Sequence, residues 1–254
     1  MTRILVINPN TTQAMTDEIA AAARTVARPD TEIACVSPEA GPRSIEGFAD
    51  EAIAAYHVLE LVTRTRGEYD GYVIACFGDP GLHACREVAD VPVVGIAEAA
   101  MHMASLVAHR WSIVTVIPRV EPFLAEAVQR AGMRERCASI RCTPLSVLEI
   151  EADLERTKRL IVEHARLAID EDGAEAILLG CAGLGPIDKA MQEALGVPVL
   201  DGTSCAVPLV EALCAYGVTT SKAKAFKAPE PKELVGCPAS LVAAWARAER
   251  EAGA

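Results

Sequence analysis

Short apolar runs alternate with longer amphipathic stretches along nearly the whole chain, and this alternation restricts the fold more than any single motif does. The runs that read as strands are RILVIN (3–8), EIACVS (32–37), YVIAC (72–76), PVVGI (92–96), SIVTVI (112–117), SIRCT (139–143), AILLGC (176–181) and PVLDG (198–202). Between them, segments 11–27, 49–66, 80–89, 97–108, 119–131, 151–172, 186–195 and 203–216 have helical length and patterning. Strand–helix repetition of this kind predicts parallel sheets joined by right-handed crossovers. Aromatic residues make up only 4% of the chain and hydrophobic residues 51%. Ala, Val, Ile and Leu therefore carry the runs, as suits strands covered by helices on both faces.

The chain also repeats itself. Ile7-Asn8-Pro9 has a counterpart in Val116-Ile117-Pro118, at an offset of 109, and Ile33-Ala34-Cys35 in Ile140-Arg141-Cys142, at 107. Cys76 matches Cys181 at 105, and VPVVGI from 91 matches VPVLDG from 197 at 106. Four anchors at nearly constant spacing imply duplication. The expected fold class is α/β, with two pseudo-symmetric β/α lobes, mostly parallel sheets, and an active site in the cleft between them. Open α/β sheets place ligands beyond the carboxyl ends of their strands, which is where each lobe puts one cysteine. After Gly217 the polar, basic TSKAKAFKAPEPKE reads as a surface linker. PASLVAAWARAERE then reads as an amphipathic helix, with Leu241 and Trp245 on one face, packing on the body or on a neighbouring subunit.

Composition excludes some partners. A net charge of −11 argues against nucleic acid, which attracts basic surfaces. The start MTRILVINPNTT lacks the long apolar stretch of a signal peptide, and AAMHMASLVA is too short and polar to span a bilayer. The nine cysteines show no CxxC pair and no zinc-type spacing. An odd count without export signals reads as reduced thiols. The expectation is a cytoplasmic protein with no membrane partner.

The chemistry concentrates at ACFGDPGL (75–82) and GCAGLGPI (180–187). Each is an apolar strand, then a cysteine, then a glycine-containing turn that opens a helix. Asp79 suits the N-cap and Pro80 the first helical position, with Gly185 and Pro186 in the same parts in the second lobe. The amides of Phe77, Gly78 and Asp79, and of Ala182 and Gly183, would then point at a ligand. Such amides stabilise negative charge, so they would lower a thiol from its usual value near ~8.5 and cradle a carboxylate, imide or enolate. Cys35, Cys85, Cys137, Cys142, Cys205, Cys214 and Cys237 read as core thiols. Two thiols in mirror positions predict removal of a proton from one face of a carbon and return of one to the other. A disulfide-exchanging pair would favour adjacent cysteines. Phe77 could cover a ring substituent, Ile45 in RSIEG could form an apolar wall, and Thr115 and Pro118 could form part of the rim. Asp79 could touch ligand, although helix capping alone accounts for it. Thr11 or Thr12 suits an N-cap, and His83 is given no role.

Together INPNTT (7–12), GPRSIEGFADE (41–51), ACFGDPGL, PVVGIAEAA (92–100), GCAGL (180–184) and PVLDG resemble the hydantoin/allantoin racemase branch of the aspartate/glutamate racemase superfamily. The resemblance covers about the first 215 residues. It implies a cofactor-independent racemase, with no metal or organic cofactor, in which Cys76 and Cys181 serve as opposed acid and base. It favours Asn10 as an amide donor to a ring carbonyl. It also implies that the lobes exchange their final helices, so that lobe 1 comprises 1–98 plus about 210–254 and lobe 2 comprises 99–209. The amino-acid racemases of the superfamily carry an acidic residue in the first strand-end loop and Thr-His after the second cysteine. Here Asn8-Pro9-Asn10 and Ala182-Gly183 stand instead, which suits a neutral cyclic amide. The expected function is racemisation of 5-substituted hydantoins, allantoin being an allowed close substrate, by a homo-oligomer whose partner is this small molecule. The expected substrate-binding residues are Asn10, Ile45, Phe77, Gly78, Asp79, Thr115, Ala182 and Gly183. The rival readings are a maleate-isomerase-like or decarboxylase activity, a non-catalytic two-lobed ligand sensor, and a thiol-redox protein.

Overall fold

Eight parallel strands form two separate four-stranded sheets in the computed structural model, which describes residues 1–147 and 149–252, with backbone alone for 151–152, 185–186 and 247–252. The first sheet has the order β2-β1-β3-β4, from β1 (Thr2–Ile7), β2 (Thr31–Val36), β3 (Gly71–Ile74) and β4 (Val93–Gly95). The second repeats it as β6-β5-β7-β8, from β5 (Trp111–Val116), β6 (Cys137–Thr143), β7 (Ala176–Leu179) and β8 (Val199–Asp201). Every expected strand is present, and the identical strand order confirms the duplication.

The intervening helices are α1 (Gln13–Val26), α2 (Phe48–Arg64), α3 (Leu82–Val88), α4 (Ile96–Val107) and α5 (Glu121–Arg130). They continue with α6 (Glu149–Ala152), α7 (Leu154–Asp170), α8 (Asp188–Leu195), α9 (Gly202–Tyr216) and α10 (Ala239–Ala252). The expected helix 151–172 is divided at Asp153, whose carboxylate accepts from the Arg156 amide at 2.9 Å and so starts α7.

Side-chain alternation along β1 divides the core. Ile4 and Val6 face a large core shared with α1, α4 and the second sheet. Leu5 and Ile7 face a smaller one with Val58 and Leu61 of α2, Leu82 of α3, and Trp245 of α10. α10 therefore packs on the body of its own chain, on α2. Before it, the irregular tail crosses α3: Lys222 Nζ donates to the carbonyls of Arg86 (2.6 Å) and Glu87 (3.0 Å), and Phe226 rests 5.4 Å from the His83 ring. Among the described residues, no helix is long and apolar enough to cross a membrane.

Two features place the site. First, α4 follows β4 of the first sheet but packs on β7 and β8 of the second, while α9 follows β8 and packs on β1, β3 and β4. Second, the lobes differ at the end of their central strand. Ile7 ends β1 paired with both Val36 and Ile74. β5 pairs with β7 only as far as Val114, and with β6, after a register shift between Trp111 and Ile113, on to Val116. The two extra residues bring Thr115 beside Gly180 and lead into Ile117, a β-branched residue with φ 56°, a conformation it rarely adopts.

Candidate active site

β3 and β7 stop one residue short of Ala75-Cys76 and Gly180-Cys181. The last ladder bonds run from the Ala75 amide to Ile7 O (2.8 Å) and from the Gly180 amide to Val114 O (2.9 Å). Each cysteine thus sits just past the carboxyl end of an interior strand, and both line one cavity of about 50 Å³ between the lobes. The turns begin alike: the Asp79 amide donates to Cys76 O at 2.9 Å, and the Leu184 amide to Cys181 O at 3.1 Å.

They are then held differently. Asp79 takes the left-handed conformation (φ 52°), and its buried carboxylate accepts from the amides of Ala97 (3.0 Å) and Glu98 (2.9 Å) at the start of α4. The expected cap on its own helix is therefore corrected: α3 begins at Leu82 after Gly81, and Asp79 caps α4 instead. The longer α4 buries its first turn, so its orphan amides are costlier to leave unpaired. A Cβ on Gly95 would collide with this carboxylate. Burial pushes Asp79 up to about 7, against the pull of the two amides. It faces away from the cysteine cavity, into a second, polar cavity of about 160 Å³ shared with Glu51, His83, Glu98 and Arg130.

In the second lobe, Asp201 at the end of β8 caps α9 by accepting from the Ser204 amide at 2.8 Å. The expected roles of Gly185 and Pro186 are likewise corrected. Their backbone lies inside a 3-10 turn, Ala182–Ile187, and α8 starts at Asp188.

Cys76 is half-buried, and the Gly78 amide is the backbone group that pulls its thiol down. Burial nevertheless pushes the thiol up to about 12, the Gly78 amide opposing and the Cys181, Asp79 and Glu51 charges adding to the rise. The expected lowering by helix-start amides is outweighed, because one amide does not replace the water lost on burial.

Of the other expected site residues, Asn10, Ile45, Phe77, Gly78, Thr115 and Ala182 line the cavity. Asn10 Oδ1 accepts from the Thr12 amide (2.9 Å) and Asn8 Nδ2 (3.0 Å), while its Nδ2 donates to the Met15 sulfur at 3.1 Å. A thioether is a weak acceptor, so this N–H is poised for a better one. The Thr11 and Thr12 hydroxyls donate to Pro42 O (3.3 Å) and Arg43 O (2.7 Å). They thereby fix the loop that delivers Ile45. Thr115 Oγ1 donates to Gly180 O at 2.8 Å. Gly183 lies off the cavity, beside Ile150 and Met15, and Pro118 opens a 3-10 turn.

Sequence reasoning did not single out Val120, Phe123 and Leu124, which follow β5, or Val147, which follows β6, as cavity walls. Their position just beyond strand ends was the available signal. Phe123 occupies the space a Cβ on Gly78 would need and stacks edge-on against Phe48, with 6.1 Å between centroids. The cavity thus presents two thiols from opposite lobes, an amide donor and mostly apolar walls. It suits a small, largely neutral molecule from which a proton is taken without water at hand.

Residues 4–210 match the family model described as Asp/Glu/Hydantoin racemase. A hydantoin racemase of Pseudomonas sp. (strain NS671) is 48% identical over 92% of this chain and 94% of its own. Another, of Paenarthrobacter aurescens, is 46% identical over 92% of this chain and 100% of its own. The solved allantoin racemase from Klebsiella pneumoniae superposes with a TM-score of 0.90 at 49% identity, covering 93% of this chain and 97% of that one.

Proposed function

The chain belongs to the Asp/Glu/hydantoin racemase family and is a racemase, and from that premise we propose that it interconverts the enantiomers of 5-substituted hydantoins, with allantoin as a close second substrate. The observation that carries the mechanism is the meeting of Cys76 and Cys181, from opposite lobes, at one cavity. One sulfur takes the proton from C5, between the ring carbonyl and a ring nitrogen. The other returns a proton to the opposite face. Charge left on the ring is taken up by its own carbonyl, to which Asn10 Nδ2 donates. The Gly78 amide stabilises the Cys76 sulfur when that sulfur carries the charge.

Burial keeps Cys76 protonated in the empty site. The half-reaction in which Cys181 removes the proton and Cys76 donates one starts from that state. The reverse half-reaction starts after Cys76 has given its proton up. Phe123, Leu124 and Val147 exclude water and hold the C5 substituent. The proposal includes a homo-oligomer in the cytoplasm, a small cyclic amide as partner, and lobe 1 as 1–98 with about 210–254 against lobe 2 as 99–209.

The test separates the two thiols. Cys76→Ser and Cys181→Ser should each abolish racemisation, because turnover needs an acid and a base together. Each should still exchange the C5 proton of one enantiomer for deuterium, and the two variants should choose opposite enantiomers. Proton NMR of each pure enantiomer in deuterated buffer, corrected for spontaneous exchange, reads this directly. Exchange of the same enantiomer by both variants would refute the two-thiol mechanism.

A further inference from the structure

The backbone of Gly78 is gripped from three sides. Its amide pulls the Cys76 thiol down against burial, as a hydrogen bond to the sulfur does. The Phe123 ring lies where its Cβ would be. Its carbonyl accepts a hydrogen bond from Arg130 Nη2 at 3.0 Å. Two of these three contacts come from one helix of the other lobe. Phe123, Ala127 and Arg130 follow one another at helical spacing along α5, so they share a face. Ala127 and Ala131 line the second cavity together with Arg130, and their small side chains leave room there for the guanidinium. Glu51 and Asp79, in the same cavity, interact favourably with that positive charge.

We propose that Arg130 is a positioning residue for proton transfer at Cys76, acting through the carbonyl of Gly78 to keep the Gly78 amide aimed at the sulfur. Glycine has the widest backbone freedom of any residue, so an amide at this position points steadily only if something outside the turn holds it. A guanidinium does this well because its planar fork fixes direction as well as distance. The matching Gly183 has Ile150 and Met15 for neighbours instead, so the effect belongs to one thiol of the pair. The assignment to proton transfer rests on the two-thiol reading, whereas the control of the sulfur by Arg130 does not.

The experiment therefore has a substrate-free arm. The full-length protein and its R130M and R130K variants are alkylated with iodoacetamide at one fixed pH, and modification of Cys76 and Cys181 is followed separately by peptide mass spectrometry. Loosening a hydrogen bond to a charged acceptor should slow alkylation of Cys76 by about three- to tenfold in R130M. Alkylation of Cys181 should change by less than about twofold, since no contact among the described residues joins Arg130 to its turn. R130K, which keeps a cationic donor, should recover most of the rate. If R130M does not fold, R130Q takes its place in the same comparison. An unchanged or faster Cys76, or equal slowing of both cysteines, overturns the proposal, whether or not the protein racemises hydantoins.

The second arm reads C5 exchange. Adding R130M to Cys181→Ser, where Cys76 is the remaining base, should slow exchange by a similar factor. Adding it to Cys76→Ser should not. If the alkylation difference appears but neither single-cysteine variant exchanges, the two-thiol reading fails and the positioning of the Cys76 sulfur stands.

Discussion

After Cys76 the chain is held by charge and hydrogen bonds, and after Cys181 it is held by packing. Asp79 and Arg130 fasten the first turn to α4 and α5, which lie against the second lobe. At the position matching Asp79 the second turn has Leu184, only 1% exposed, within a run of 3-10 backbone. The need that Asp79 meets is common to both lobes, because α4 and α9 each start in the interior with unpaired amides. In the second lobe Asp201 meets it from the strand end itself, whereas the matching Gly95 has no side chain and a residue of the cysteine turn does so instead. The capping carboxylate comes from the strand end in one lobe and from the cysteine turn in the other. Duplicated halves can thus keep one backbone plan and still control their reactive groups by unlike means.

The strongest way to break this contrast is to add a methyl group to each turn. Gly78→Ala drives a Cβ into the Phe123 ring, and should cost about 1–3 kcal/mol of stability and, by displacing Cys76, about a hundredfold in kcat/KM. Gly183→Ala has Ile150 and Met15 nearest among the described residues, at 3.9 Å, an ordinary contact, and should change stability by less than about 0.5 kcal/mol. Urea denaturation and initial rates by polarimetry decide. Equal damage from both would mean that the turns are held alike.

A pH series sharpens the contrast next. Folding raises Asp79 from an ordinary 3.8 to about 7. The folded protein therefore holds this proton more tightly than the unfolded chain. The resulting stability is full below about pH 4 and is lost as pH rises through 7, about 4 kcal/mol in all. Asp79→Asn removes the titration, so the stability difference between wild type and variant should shift by that order between pH 4.5 and 7.5. Parallel pH curves for the two proteins would show that Asp79 does not carry it.

A smaller loss than those at Gly78 and Asp79 is expected at the polar tie of the second lobe. Thr115→Val removes the hydroxyl that donates to Gly180 O and should cost about 1 kcal/mol, read by the same denaturation. No loss at all would leave the Cys181 turn dependent on packing alone.

Much of this was legible in the residues. The inner strands were visible because they are buried on both faces, which leaves unbroken apolar runs, and the repeat was visible because both lobes kept their strand-end motifs. That placed Cys76, Cys181, Asn10, Ile45, Phe77, Gly78, Thr115 and Ala182 at one cavity. What escaped depends on how the lobes meet. Asp79 next to Pro80 looks like a local cap, and its real partners, Ala97 and Glu98, lie a strand away. Phe123 and Arg130 look like any residues of an amphipathic helix until the first lobe is set against them. The Cys76 thiol shows the same limit: its neighbouring amides are a local property, whereas the burial that outweighs them is a property of the assembled cleft.

The crossing of α4 and α9 bears on how the molecule comes apart. Drawing the sheets apart would strip α4 from β7 and β8 and α9 from β1, β3 and β4 in one motion. Each half severed from the other would keep a helix with no sheet to lie on and a sheet with one face bare to water. The apolar residues Ile96, Met101, Val207 and Val210 would be exposed together, each losing about 1.5–3 kcal/mol of burial. Melting of either lobe is thereby tied to melting of the other, and two halves that arose as copies share a single cooperative transition.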